Sequence, residues 1–154
     1  MTSPFLPRVV DNTYPGYKLG LWLFGLLTLI KTAMSLNSIF NGSYVASSAD
    51  GIPLSKFGAD AAQTVISLFA IWGLSQLMLA LFGLVILVRY RRLVPLMFGL
   101  LLLEQLSRRA ILHALPIIRT GTPPGSFVNA LLLAITIAGL GLSFRTWGRP
   151  RTGQ

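Results

Sequence analysis

Residues 93–118 read LVPLMFGLLLLEQLSRRAILHALPII, and this stretch decides how the rest of the chain is read. Its length and apolar flanks suit one membrane-spanning helix. Its centre carries Glu104, Gln105, Ser107, Arg108 and Arg109, with His113 one turn further on. Ionisable groups at bilayer depth are costly, so they normally face a protein interior or a wet cavity. The cluster is therefore the place where the sequence points to a site.

Working outward, the 154 residues are 53% hydrophobic and only 11% charged. A soluble domain carries about 25% charged residues, so the class expected is integral membrane. Four segments reach the roughly 20 residues that cross a hydrocarbon core: residues 19–40, 61–88, 93–118 and 127–144. The expected fold is all-α, an up-down-up-down four-helix bundle in one domain over residues 19–144. A Pro-rich tail over residues 1–18 precedes it, and a basic tail over residues 145–154 follows. The first 18 residues hold three prolines and Asp11. That is unlike a basic n-region, so the first apolar segment is expected to remain as a span. With no cysteine, disulfides and thiolate metal sites are excluded.

The formal net charge of +9 is placed asymmetrically. With four spans, Arg8, Lys18, Arg89, Arg91, Arg92, Arg145, Arg149 and Arg151 share one face, and the other face has Lys56 and Arg119. Such a bias in short loops puts both termini in the cytoplasm of a plasma (bacterial inner) membrane. It implies contact with anionic lipid rather than a nucleic-acid groove. Tyr14, Tyr17, Trp22, Tyr90 and Trp147 fall near that interface, and Tyr44, Phe57 and Phe127 near the other.

Turn formers place the links. Asn41-Gly42-Ser43 ends the first helix, and Gly51, Pro53 and Gly58 shape the long outer link. Pro53 is suited to open a short helix over residues 54–58, and Asp60 to cap the second long helix. The short basic link over residues 89–92 makes the second and third helices antiparallel neighbours.

Helical rise allows depths to be compared. At ~1.5 Å per residue, Lys31, Gln76 and Glu104 each lie ~17–18 Å from the cytoplasmic ends of their helices, and Thr136 ~12 Å from its own. Lys31 is expected to pair with Glu104, with Gln76 beside them, and Arg108 stands at i+4 from Glu104. Asp60 is a candidate partner for Arg108 or Arg109. On the wheel, Glu104, Gln105, Arg108, Arg109 and His113 share one half. Leu96, Leu100, Leu103, Leu106, Ala110, Ala114 and Ile117 form an arc suited to lipid. Gly73, Gln76, Ala80 and Gly83 make a close-packing face. On the first helix Lys31 shares a face with Thr28, Ser35 and Ser38, and Ala130, Ala134, Ala138 and Gly141 form another small-residue stripe on the fourth.

Bland roles compete with functional ones. Lys31 could snorkel toward Ser35 and Ser38, Gln76 could be interhelical glue, and Arg109 could bind outer headgroups. His113, the only histidine, is commonplace at an interface, and no second axial ligand lies level with it. Neither haem nor any other cofactor or metal is expected. Motifs of the HExxH, GxSxG, Walker and CxxC kinds are absent. Glu104 is the only glutamate, so paired-carboxylate chemistry is absent too.

Two functional classes lead. In the first, the protein is a binding or accessory subunit, packed on a larger membrane partner or on a second copy of itself. In the second, it is a membrane enzyme or carrier for a small amphipathic or anionic molecule in an outward-opening pocket. Glu104 would then be the acid/base or proton carrier, with Lys31, Gln76, Gln105, Arg108, Arg109 and His113 as ligand contacts. A proton pathway ranks last, because the cytoplasmic half is nearly all Leu, Phe and Val.

Overall fold

The computed structural model describes residues 10–144. Arg8, Arg145, Trp147, Arg149 and Arg151, which carry part of the expected charge and aromatic asymmetry, lie outside the described residues. Among those described, the chain is all-helical. Four long helices run in order: α1 (Lys18–Phe40), α2 (Ala59–Arg89), α3 (Val94–Ala114) and α4 (Pro124–Phe144). Short turns join them: Gly42–Tyr44 and the π-helical Val45–Ala49, then the 3₁₀ turns Leu54–Lys56 and Arg91–Leu93.

Three of the four are long and apolar enough to cross a membrane: α1, α2 and α4. The fourth expected span, α3, equals α4 in length at 21 residues. Glu104, Arg108 and Arg109 leave it less apolar than the others. It also stops at Ala114, four residues short of the expected end, because Pro116 cannot continue a helical ladder.

α1 is the central helix, packed along α2 and α4, and α4 packs in turn along α3. Small residues set the α1–α2 approach. A Cβ added at Gly73 would meet Ser38 Cβ at 2.8 Å and the Ser35 carbonyl oxygen at 3.1 Å. One at Gly83 would meet Thr28 Cγ2 at 3.1 Å. The expected faces of α1 and α2 therefore do face each other, with Thr28, Lys31, Ser35, Ser38, Gly73, Ala80 and Gly83 buried. Such close packing, rather than apolar burial, holds helices together in lipid.

The α4 stripe is different. Ala130, Ala134, Ala138 and Gly141 point outward, and α4 buries Leu132, Thr136, Gly139 and Ser143 instead. Gly139 lies against the Phe98 ring, and no heavy atom lies within 4 Å of where a Gly141 Cβ would stand. Hydropathy could not separate two small-residue faces on one helix. On α3 the leucine arc is largely exposed.

One end of the molecule, the base, is filled. Phe24, Leu27, Ile86, Val94, Met97, Phe98 and Leu101 form its core, with Phe24 and Phe98 edge to face at 5.2 Å. Residues 10–17 are tied across this end. Arg92 Nη1 donates to Asp11 Oδ2 at 3.0 Å, Tyr14 Oη shares a hydrogen bond with Ser143 Oγ at 2.8 Å, and Tyr17 N–H donates to the Leu142 carbonyl at 3.3 Å. The hydrogen bonds from Thr13, and then Arg92, hold the Asp11 carboxyl below its ordinary range.

The far end is hollow. α2 and α3 follow one another through a tight turn yet touch sparingly, so they part above it. The two far-end links are clasped together, with Thr120 N–H and Thr120 Oγ1 both donating to the Gly51 carbonyl at 2.8 and 3.1 Å. Gly51 takes φ +72°, open to glycine at little strain. Asp60 does not cap α2. Gly58 holds that position, and Asp60 sits exposed in the first turn, where a carboxylate still suits the helix dipole.

Candidate functional site

The site grows from the part of α3 that carries Glu104 and Gln105, with Arg108 one turn further on, above the packed base. Glu104 is the hub. Lys31 Nζ from α1 donates to its Oε2 at 3.1 Å, and Gln76 Nε2 from α2 donates to its Oε1 at 3.2 Å. Arg108 Nε stands 3.7 Å from the same Oε1 as an ion pair without a hydrogen bond. Both carboxylate oxygens are thus engaged, and three helices meet on one side chain. The level read from helical rise brings Lys31, Gln76 and Glu104 together as expected.

Gln105 turns the other way, toward α4, and is 3% exposed. Its Nε2 donates to Thr136 Oγ1 at 2.9 Å. Thr136 lay out of level by rise counting, yet it is the partner, because the helix ends are not flush. Arg108 has three neighbours besides Glu104. Its Nη2 donates to Asn129 Oδ1 at 3.0 Å, and its guanidinium lies 5.6 Å from the Trp72 ring centroid in a cation–π contact. The third is the Asp50 carboxyl, whose field it shares with Arg119.

Two cavities adjoin here. One, of about 320 Å³, lies under the long link and is lined by Lys31, Gln76, Gln105, Arg108, Asp50 and Asn129, with apolar wall from Met34, Val128 and Leu132. The other, of about 480 Å³, fills the gap where α2 and α3 part. Leu68, Phe69, Leu112 and Ile117 wall it, and Arg108, Arg109 and Arg119 line it. Asp50, Trp72, Arg108 and Asn129 belong to both. These sizes lie within or near the span of small-molecule pockets. Glu104 lines neither cavity, screened by the cations it holds.

The remaining expected residues divide. Arg109 is exposed, lines the larger cavity and donates from Nη2 to the Asn129 carbonyl at 3.4 Å. His113 is exposed in the last turn of α3 and lines neither cavity. The proposed match of Asp60 with Arg108 or Arg109 is not made. Besides Glu104, the carboxylate that interacts with Arg108 is Asp50, which burial pushes above its ordinary range, against the pull of Arg119 and then Arg108.

Sequence reading missed Trp72, Asn129, Asp50 and Arg119. Asn129 left a signal, a lone amide one turn into an apolar helix. Trp72 left none beyond being aromatic. Asp50 and Arg119 lie on links, and only the Gly51–Thr120 clasp carries them to the cavities.

Chemically, the arrangement offers positive charge beside apolar wall. Lys31 and Glu104 neutralise each other, which leaves three arginines facing one carboxylate. No protein-family model, curated protein or solved structure matches the chain.

Proposed function

We propose that this is a multi-pass protein of the plasma (bacterial inner) membrane that binds or carries a small anionic amphipath. All four long helices are inserted as an up-down-up-down four-helix bundle, with both termini cytoplasmic. The Lys/Arg asymmetry supports that orientation. So do the contacts that gather residues 10–17, the Arg91–Leu93 turn and Ser143 at the base.

One observation carries the binding reading. Arg108, Arg109 and Arg119, against the single carboxylate of Asp50, line a cavity whose apolar wall includes Leu68, Phe69, Leu112 and Ile117. Guanidinium groups suit the paired oxygens of a phosphate or carboxylate, and the apolar walls suit a hydrocarbon portion. On this reading Arg108, Arg109, Lys31, Gln76 and Gln105 are ligand-side residues. Glu104 anchors the cations, rather than acting as an acid or base, since its oxygens are already engaged. His113 stands outside the site.

The test is native mass spectrometry of the purified chain in micelles containing an anionic phosphodiester lipid and a zwitterionic lipid with the same acyl chains. The anionic lipid should be retained in preference, and Arg108→Gln with Arg119→Gln should remove that preference. Equal retention of both lipids by the wild-type chain rejects the reading. Inorganic phosphate added as competitor separates a lipid headgroup from a soluble anion.

The accessory-subunit reading rests on a different observation, the outward Ala130, Ala134, Ala138 and Gly141 stripe. It admits close approach of a transmembrane helix from a partner or a second copy. Under it, Ala134→Leu would dissociate a complex isolated in mild detergent and leave the lipid preference unchanged.

A further inference from the structure

Two buried groups of residues lining the smaller cavity lack a hydrogen bond, Arg108 Nε, which stands beside Glu104, and the Gln105 amide oxygen. Gln105 is 3% exposed, and its Oε1 is buried with no hydrogen-bond partner. Its orientation follows from its neighbour. Thr136 Oγ1 gives its proton to the Leu132 carbonyl at 2.7 Å, so the same oxygen can only accept from Gln105 Nε2 at 2.9 Å. The amide nitrogen is thereby fixed on Thr136, and the carbonyl oxygen is left without a donor. Buried acceptors are seldom left so, because the unpaired group loses its water and gains nothing in return.

No donor on the cavity wall reaches this oxygen. Lys31 and Gln76 donate to Glu104, and Arg108 Nη2 donates to Asn129. A donor for Gln105 therefore has to come from whatever occupies the cavity. Lys31 and Arg108 outnumber Asp50 on that wall, which disfavours a cationic ammonium donor. A neutral hydroxyl meets both conditions. Arg108, Trp72 and Asn129 line both cavities, so a group held at Arg108 stands beside the cavity that Gln105 lines.

Resting on the proposed anionic site, we propose that the occupant is a phosphodiester lipid whose head carries a free hydroxyl. The phosphate is held at Arg108, Arg109 and Arg119, and the hydroxyl donates to Gln105 Oε1. The smaller cavity is then the subsite that reads the head group, and the larger one takes the charge and the adjoining chain.

The experiment compares two lipids of equal charge and identical acyl chains, phosphatidylglycerol and phosphatidylmethanol, retained by the full-length chain in native mass spectrometry. One hydrogen bond predicts about a three- to tenfold preference for phosphatidylglycerol in the wild-type chain. Gln105→Leu should bring the two to parity while phosphatidylmethanol is still retained. Equal retention in the wild-type chain overturns the hydroxyl subsite and leaves the anionic site standing. That comparison needs no variant, so a Gln105→Leu chain that fails to fold does not remove the test. Retention of neither lipid overturns both readings. Free glycerol phosphate that displaces phosphatidylglycerol at equal concentration overturns the assignment to a lipid.

Discussion

Lys31 Nζ lies 3.1 Å from Glu104 Oε2, a bond between α1 and α3, helices that otherwise scarcely touch. The lysine side chain is 9% exposed and the carboxylate 22%. Removing one partner leaves a buried charge uncompensated, which costs about 3–5 kcal/mol, whereas removing both is far milder. Glu104→Gln should therefore destabilise the fold by about that amount. The double variant Lys31→Met/Glu104→Leu should lose less than the two single variants together. A double-mutant cycle on thermal unfolding in detergent measures this, and additive losses would show that the pair is not coupled.

The α1–α2 approach makes a second prediction. Gly73→Val places branched carbons where Ser38 Cβ and the Ser35 carbonyl already stand. Overpacking of this kind costs about 1–3 kcal/mol. Gly141→Val, in open space on α4, should change little. Melting temperatures of the two variants in one detergent decide it, and equal shifts would contradict the packing described.

Asp50 gives a pH dependence. Burial raises its carboxyl above the ordinary value, with Arg119 and Arg108 pulling the other way. The folded state thus binds the proton more tightly than the unfolded one. The stability this contributes is full below the ordinary carboxylate range and is lost as pH rises through the raised value. Asp50→Asn keeps the group neutral at every pH. Its stability relative to wild type should climb over that window and then level off. A difference that is flat with pH, followed by differential scanning calorimetry, would show that Asp50 does not titrate as described.

Much of this was legible in the residues. Helix positions follow from hydropathy and from breakers such as Asn41, whereas the third span was expected to run through Pro116 and stops before it. The meeting of Lys31, Gln76 and Glu104 follows from rise alone, because depth along a helix is a local quantity. What failed was what depends on rotation and tilt between helices. The Ala130–Gly141 stripe and the Thr136, Gly139 and Ser143 part of the buried α4 face are both small, and packing, as of Gly139 against Phe98, separates them. Asp60 had the composition of a cap, but Gly58 took the position. Asp50 and Arg119 were out of reach for another reason. Their place depends on two links docking on each other, which no periodicity encodes.

Trp72 gives the most direct test of the central claim, since it walls both cavities. In a chain carrying Trp22→Phe and Trp147→Phe, Trp72 is the only tryptophan left. Its fluorescence can be titrated with brominated anionic phosphodiester lipid or with brominated zwitterionic lipid in nanodiscs of constant composition. A bound anionic amphipath predicts quenching that saturates at low mole fraction of the anionic lipid, and loss of that saturation in Arg108→Gln. Identical, non-saturating curves for the two lipids would contradict it.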